Sequence, residues 1–227
     1  MKRFLTRIKQ CFKAVLLFIY SKVDLQLPEL SKGEYTMLYI KDKSSDEIQK
    51  MHGIALSSRN IAIENYWKRA NYYWAFQIAS FTGYFAVSGS RMYGESPQIL
   101  YFVVCIGFLT SLAWLLTNIG SRASQKHWEI HSDMLEDYVT GPLNKTRISA
   151  DGVSITKINE IVSGFIVPIW FMLSIKYLNE HITFIKYTEV DFQVLFSTIV
   201  TIYFSIAMRF GYGRINLKTA QWKLYRR

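Results

Sequence analysis

The chain has 227 residues, half of them apolar and 16% aromatic, and 27 Lys and Arg outnumber 17 Asp and Glu to give a formal charge of +10. A chain of this length is one domain or a small membrane bundle. So basic a balance points either to nucleic acid or to loops lying against anionic lipid, and the placement of the apolar residues separates the two. Cys11 and Cys105 fall in a basic stretch and in an apolar run, at different depths, which argues against a structural disulfide. No stretch gathers enough Cys, His and carboxylate for a metal site, and no cofactor is indicated.

Residues 1–43 read as a basic amphipathic helix on the membrane surface followed by a linker. Phe4, Leu5, Ile8, Cys11, Phe12, Val15, Leu16 and Ile19 form one helical stripe. Arg3, Arg7, Lys9 and Lys13 supply positive charge for lipid headgroups. No small-residue cleavage site follows, so a secretory signal does not fit. A docking helix for a protein partner is the competing use. A fifth span would drag Lys9 and Lys13 into hydrocarbon.

Residues 44–143 read as one long helical hairpin. Ser44-Ser45-Asp46-Glu47 is a capping box, and no proline follows until Pro97. A first membrane span is expected at about 72–90, interrupted by Gln77, Ser80 and Thr82. A second, without charge, is expected at about 97–119. Each approaches the roughly 20 residues needed to cross hydrocarbon about 30 Å thick. Both helices continue beyond the membrane, over 45–71 and 120–139, until Thr140-Gly141-Pro142 stops the second. With the turn near residues 93 and 94, position i faces about 187 − i in an antiparallel pair, so the start signal at Ser45 meets the stop signal at Pro142. This register places Arg59 near Trp128 and Glu129, and Glu64 within a turn of Lys126.

Residues 144–227 hold a third span at about 159–178, a fourth at about 192–209, and a basic tail. Basic residues then set the orientation. Thirteen lie in 1–71, five in 120–158 and six in 209–227, while Arg91, Lys176 and Lys186 are the three remaining. By the positive-inside rule the N-terminus, the 120–158 segment and the C-terminus are cytoplasmic. Tyr72, Tyr73 and Trp74 suit the inner headgroup level, and Tyr93 and Tyr101 the outer one. The expected fold is an all-α integral membrane protein with four transmembrane helices and a helical hairpin projecting into the cytoplasm.

Candidate chemistry is sparse. His127 and His131 share a helix face with Glu129 between them, but a zinc-protease helix needs Glu directly after the first His. Asp133, Glu136 and Asp137 form an acidic cluster better suited to pairing with basic groups than to acid–base work. No enzyme signature is present. Polar groups at membrane depth are the stronger lead. Trp114 and Asn118 lie one turn apart at the end of the second span, with Ser121 near the same face. Asn118 must turn toward a neighbouring helix or water. Ser163-Gly164 and Pro168 permit close packing and a kink.

The pattern Trp114-x3-Asn118-x-Gly120-Ser121, then Trp128, Asp133-Met134-Leu135-Glu136, Gly141-Pro142-Leu143 and Ile158-Asn159, resembles small multi-spanning bacterial membrane effectors of anti-phage defence systems, such as retron-associated transmembrane effectors. It covers roughly residues 97–170. Arg122 and Ala123 depart from it, where a Lys and an aromatic residue follow the Ser. The resemblance implies an inner-membrane protein held inactive by a cytoplasmic partner, a reverse transcriptase with its RNA–DNA product. When freed, it would damage the inner membrane, through a pore or a lipid defect, and stop growth; a homo-oligomer is a further expectation. Read from the residues themselves, Trp114, Asn118, Ser121 and Trp128 are the candidate effector and helix-packing residues, and Arg59, Glu64, Glu129, Asp133 and Glu136 the candidate partner or stalk contacts. A channel or transporter subunit and a passive membrane anchor are the alternatives.

Overall fold

The structure, a computed structural model, describes residues 30–90, 92–143, 146, 154–181 and 191–210. The expected surface helix with Arg3, Arg7, Lys9 and Lys13, most of the connection between the last two helices, and the basic tail lie outside these residues. Every described element is helical: α1 Lys32–Tyr39, α2 Ser45–Ser88, α3 Met92–Glu95, α4 Gln98–Glu136, α5 Ile155–His181 and α6 Phe192–Phe210. The chain divides into two compact units.

One unit contains α1, α2 as far as Lys68, and α4 from Ile119 onward. Both helix starts are built by the same device. Ser31 caps α1, with Glu34 N–H donating to Ser31 Oγ and Ser31 N–H to Glu34 Oε2. Ser44 caps α2 through the reciprocal pair with Glu47, at 3.2 and 2.8 Å. These contacts satisfy amide groups that a helix start otherwise leaves unpaired. The apolar core joins Tyr35 of α1, Ile48 and Ala55 of α2, and Leu135 of α4, with Met51, Ile130, Met134 and Val139 packed around them. The cluster thus draws on both long helices and on α1. α4 ends at Glu136, three residues before the sequence-based end. Glu136 O accepts from the N–H groups of Val139, Thr140 and Gly141, and Gly141 takes φ +70. That is a glycine-terminated helix end, in which a left-handed residue turns the chain back onto the last carbonyls.

The other unit contains α2 from Arg69, α4 to Asn118, α5 and α6. α4, α5 and α6 are each long and apolar enough to cross a membrane. α2 is not among these, so the expected first span at 72–90 does not stand on apolarity. Its tyrosines, Trp74, Gln77 and Ser80 lower the hydropathy. α4 is the centre of this unit: half of its apolar stretch is buried, against 28% for α5 and 17% for α6.

Candidate functional site: the polar core of the bundle

A helix in hydrocarbon has no water with which to satisfy side-chain polar groups, so those groups must find one another inside the bundle. The membrane unit is arranged in this way. Gln77 of α2 and Trp170 of α5 are fully buried, while Tyr72, Phe76, Ile78 and Phe85 on α2 and Ile161 and Phe165 on α5 are exposed. α6 repeats the pattern: Ser197 and Ser205 face inward and Phe192, Ile199, Ile202 and Tyr203 outward. A water-soluble bundle has the opposite arrangement.

Three helices meet at Gln77. Trp170 Nε1 donates to Gln77 Oε1 at 2.7 Å, and Gln77 Nε2 donates to Thr110 Oγ1 at 2.9 Å. Thr110 in turn donates to the carbonyl of Ile106, at 2.8 Å. The indole reaches Gln77 because it lies against Gly107, where a side chain would collide with the ring. Phe81 stacks on the same indole with centroids 4.5 Å apart, and Tyr84 meets it edge-on. Sequence reading treated Gln77 only as an interruption of the first span and did not single out Trp170.

A second node lies at the end of the unit where α4 leaves it. Asn118 Nδ2 donates to Ser163 Oγ at 3.0 Å, and Asn159 Nδ2 donates to Asn118 Oδ1 at 3.3 Å. All three residues are buried. One turn earlier Trp114 is fully buried and meets Trp74 edge-on, with centroids 4.9 Å apart. Trp114 Nε1 is buried and has no hydrogen-bond partner among the described residues. Tyr73 hydroxyl and Thr117 Oγ1 add a contact at 3.2 Å. α6 joins α4 through Tyr101 hydroxyl and Thr198 Oγ1, 2.7 Å apart.

The remaining candidate residues lie in the other unit and do not form one site. Ser121 is buried, Trp128 half-buried and Glu136 fully buried. Glu64 pairs with Lys68 and Lys126 with Glu129, and each of these two pairs joins residues of a single helix, three or four positions apart. Arg59 is half-buried and Asp133 part-buried. Asp137 meets Lys32 at 3.9 Å. His131 is the centre of an aromatic group instead. Its Nδ1 is 2.9 Å from the Tyr35 hydroxyl, and the His127, Tyr39 and Trp128 rings surround it. Burial, with the neighbouring His127, lowers the His131 pKa to about 4, and burial lowers that of His127 as well. Burial and nearby Tyr39 raise that of the Tyr35 hydroxyl. Among the described residues no three His, Cys, Asp or Glu come together as metal ligands.

The geometry describes hydrogen bonds exchanged between packed helices, a chemistry suited to holding one helical arrangement against another. A family model described as the octameric membrane protein family matches residues 51–179, more than half of the chain. No curated protein and no solved structure matches.

Proposed function

The chain belongs to the octameric membrane protein family, and from that premise we propose that its copies assemble as a ring in the bacterial inner membrane and act as a membrane-damaging effector. It has four spans, with α2 from about residue 72 as the fourth, and both termini lie in the cytoplasm. A cytoplasmic nucleoprotein, of the kind formed by a reverse transcriptase and its RNA–DNA product, restrains it. Its release in phage infection permeabilises the membrane and stops growth.

The observation that carries this reading is the inverted bundle: Gln77, Asn118, Asn159 and Ser163 are buried, and α2, α5 and α6 face outward with Phe, Ile and Tyr. Exposed Phe76, Ile78 and Phe85 suit lipid and offset the low hydropathy of α2. Polar contacts in bundles contribute about 0.6 kcal/mol each on average, small enough for such an arrangement to be exchanged for another. The match to a family described as octameric supports self-association, and the resemblance of residues 97–170 to defence effectors supports the damage. The 24 basic residues in the three segments named above support the orientation.

Expression of the chain alone in a bacterium tests the function, with a potential-sensitive dye as readout. Depolarisation within minutes of induction is expected, and its suppression when a reverse transcriptase with its RNA–DNA product, the proposed partner, is co-expressed. Normal potential at confirmed membrane levels would leave a passive anchor. A reporter fused after Arg227 should read as cytoplasmic.

A further inference from the structure

Among the described residues of the unit that holds α1, exposed apolar side chains that its own core does not use lie on α2 and on α1, besides Trp67, Tyr138 and Leu143. On α2, Ile54 and Ile61 are 54% and 53% exposed, two turns apart on one face. On α1, Met37 and Leu38 are 65% and 45% exposed. Both helices turn their other side inward. Tyr35 of α1 and Ile48 and Ala55 of α2 enter the common core with Leu135. Ile54 and Ile61 point away from that core along α2, and Met37 and Leu38 point away from it along α1.

Hydrocarbon does not cover these patches. α1 and this part of α2 carry charge in most turns, including Lys32, Asp46, Lys50, Glu64 and Lys68, which suits water and not lipid tails. Uncovered isoleucine and methionine patches in water are characteristic of contact surfaces. Ser57 and Asn65 beside the isoleucines are small or short enough for a second helix to lie close.

We propose that the Ile54 and Ile61 face of α2 in one copy packs on the Met37 and Leu38 face of α1 in the next copy. This rests on the reading that the protein works as a ring of its own copies. A ring closed by rotation uses head-to-tail contacts, so each copy needs two different patches that fit each other. The two patches on this unit, borne by different helices and turned away from one core, meet that requirement. A single self-complementary patch would give pairs only. The membrane helices are then not required to supply the whole interface.

Cysteine cross-linking of the full-length protein in membranes tests the contact. In a Cys11→Ser background, with Cys105 buried in the bundle, Met37→Cys and Ile61→Cys are combined and treated with a short bis-maleimide. A ladder reaching beyond dimers is expected from the double variant, with neither single variant giving more than traces of dimer. Strong dimers from one single variant, without a ladder from the pair, would show a self-complementary contact and overturn the proposal. Native mass spectrometry in detergent provides the second measurement. Ile54→Glu combined with Ile61→Glu should abolish the eight-copy mass while helix content by circular dichroism is retained. Survival of that mass together with no ladder would overturn the proposal and leave the ring reading intact. A wild-type protein with the mass of one copy would instead sink the ring reading itself. If the Glu variant loses its helix content, the cross-linking result decides.

Discussion

Trp170 lies across Gly107: a Cβ added to that glycine would stand 2.5 Å from Trp170 Cδ2 and 2.6 Å from Cζ2. The contact lets α5 approach α4 closely enough for the indole N–H to reach Gln77. Gly107→Ala should therefore destabilise the bundle by about 1–3 kcal/mol, the usual cost of overpacking a dense interior. Gly164→Ala provides the comparison, because its new methyl would meet Leu115 Cδ1 at 3.8 Å, an ordinary contact. Thermal unfolding in detergent should show a lowered midpoint for the first and little change for the second. Equal midpoints would mean that the indole is free to move away.

The 2.7 Å bond between Trp170 and Gln77 predicts energetic coupling. Gln77→Leu leaves the indole N–H buried without an acceptor, and Trp170→Phe leaves the Gln77 carbonyl with one donor fewer. Removing both partners removes the mismatch. The two single losses should exceed the loss in the double variant by about 0.6–1.7 kcal/mol, the average and upper values for bonds of this kind in membrane proteins. Unfolding titrations in mixed detergent supply the four stabilities. Strict additivity would show that the bond contributes shape alone.

Which of these features were legible in the sequence follows from the range of the signals involved. The start of α2 was readable because Ser44 and Glu47 are three residues apart and make their bonds locally. The same Ser-x-x-Glu pattern at Ser31 and Glu34 marks α1, which sequence reading assigned to a linker. Three apolar helices were readable from composition. Span one was the ambiguous case, because Gln77 lowers apolarity while its partner, 93 residues away, is invisible to periodicity. Asn118 was expected to face a neighbour for solvation reasons alone. Its partners Asn159 and Ser163 were noted separately, and nothing in their spacing tied them to it.

His131 predicts a pH dependence outside the membrane helices. Its pKa falls from 6.5 to about 4, through burial first and His127 second. The folded state then binds fewer protons than the unfolded state between these values, so stability rises with pH across that window. This contribution is complete above about pH 6.5 and is lost as pH falls toward about 4. The midpoint of the full protein in detergent should decline from pH 7 to pH 4.5, and His131→Gln should decline less steeply. Identical slopes would place the acid sensitivity elsewhere, with His127 the next group to test because burial lowers its pKa too.

Two residues one turn apart in the middle of α4, Trp114 and Asn118, should separate activity from folding. Asn118 bonds Ser163 and Asn159 across to α5, but the apolar lengths of α4, α5 and α6 govern insertion. Asn118→Leu is therefore expected to reach the membrane at normal levels and to lose depolarising activity in cells lacking the restraining partner. The change need only shift an equilibrium between packings a few kcal/mol apart. Trp114→Phe poses the complementary question. Its indole N–H is buried with no partner among the described residues, so folding loses no hydrogen bond when the N–H is removed. An unpaired buried donor costs about 1–3 kcal/mol, and removing it offsets part of the lost ring packing against Trp74. Trp114→Phe should thus keep nearly wild-type stability. Retained depolarisation would make Trp114 a packing residue only. Its loss at equal protein level and equal unfolding midpoint would show that the N–H finds a partner when the bundle rearranges, a result that a purely structural tryptophan would not give.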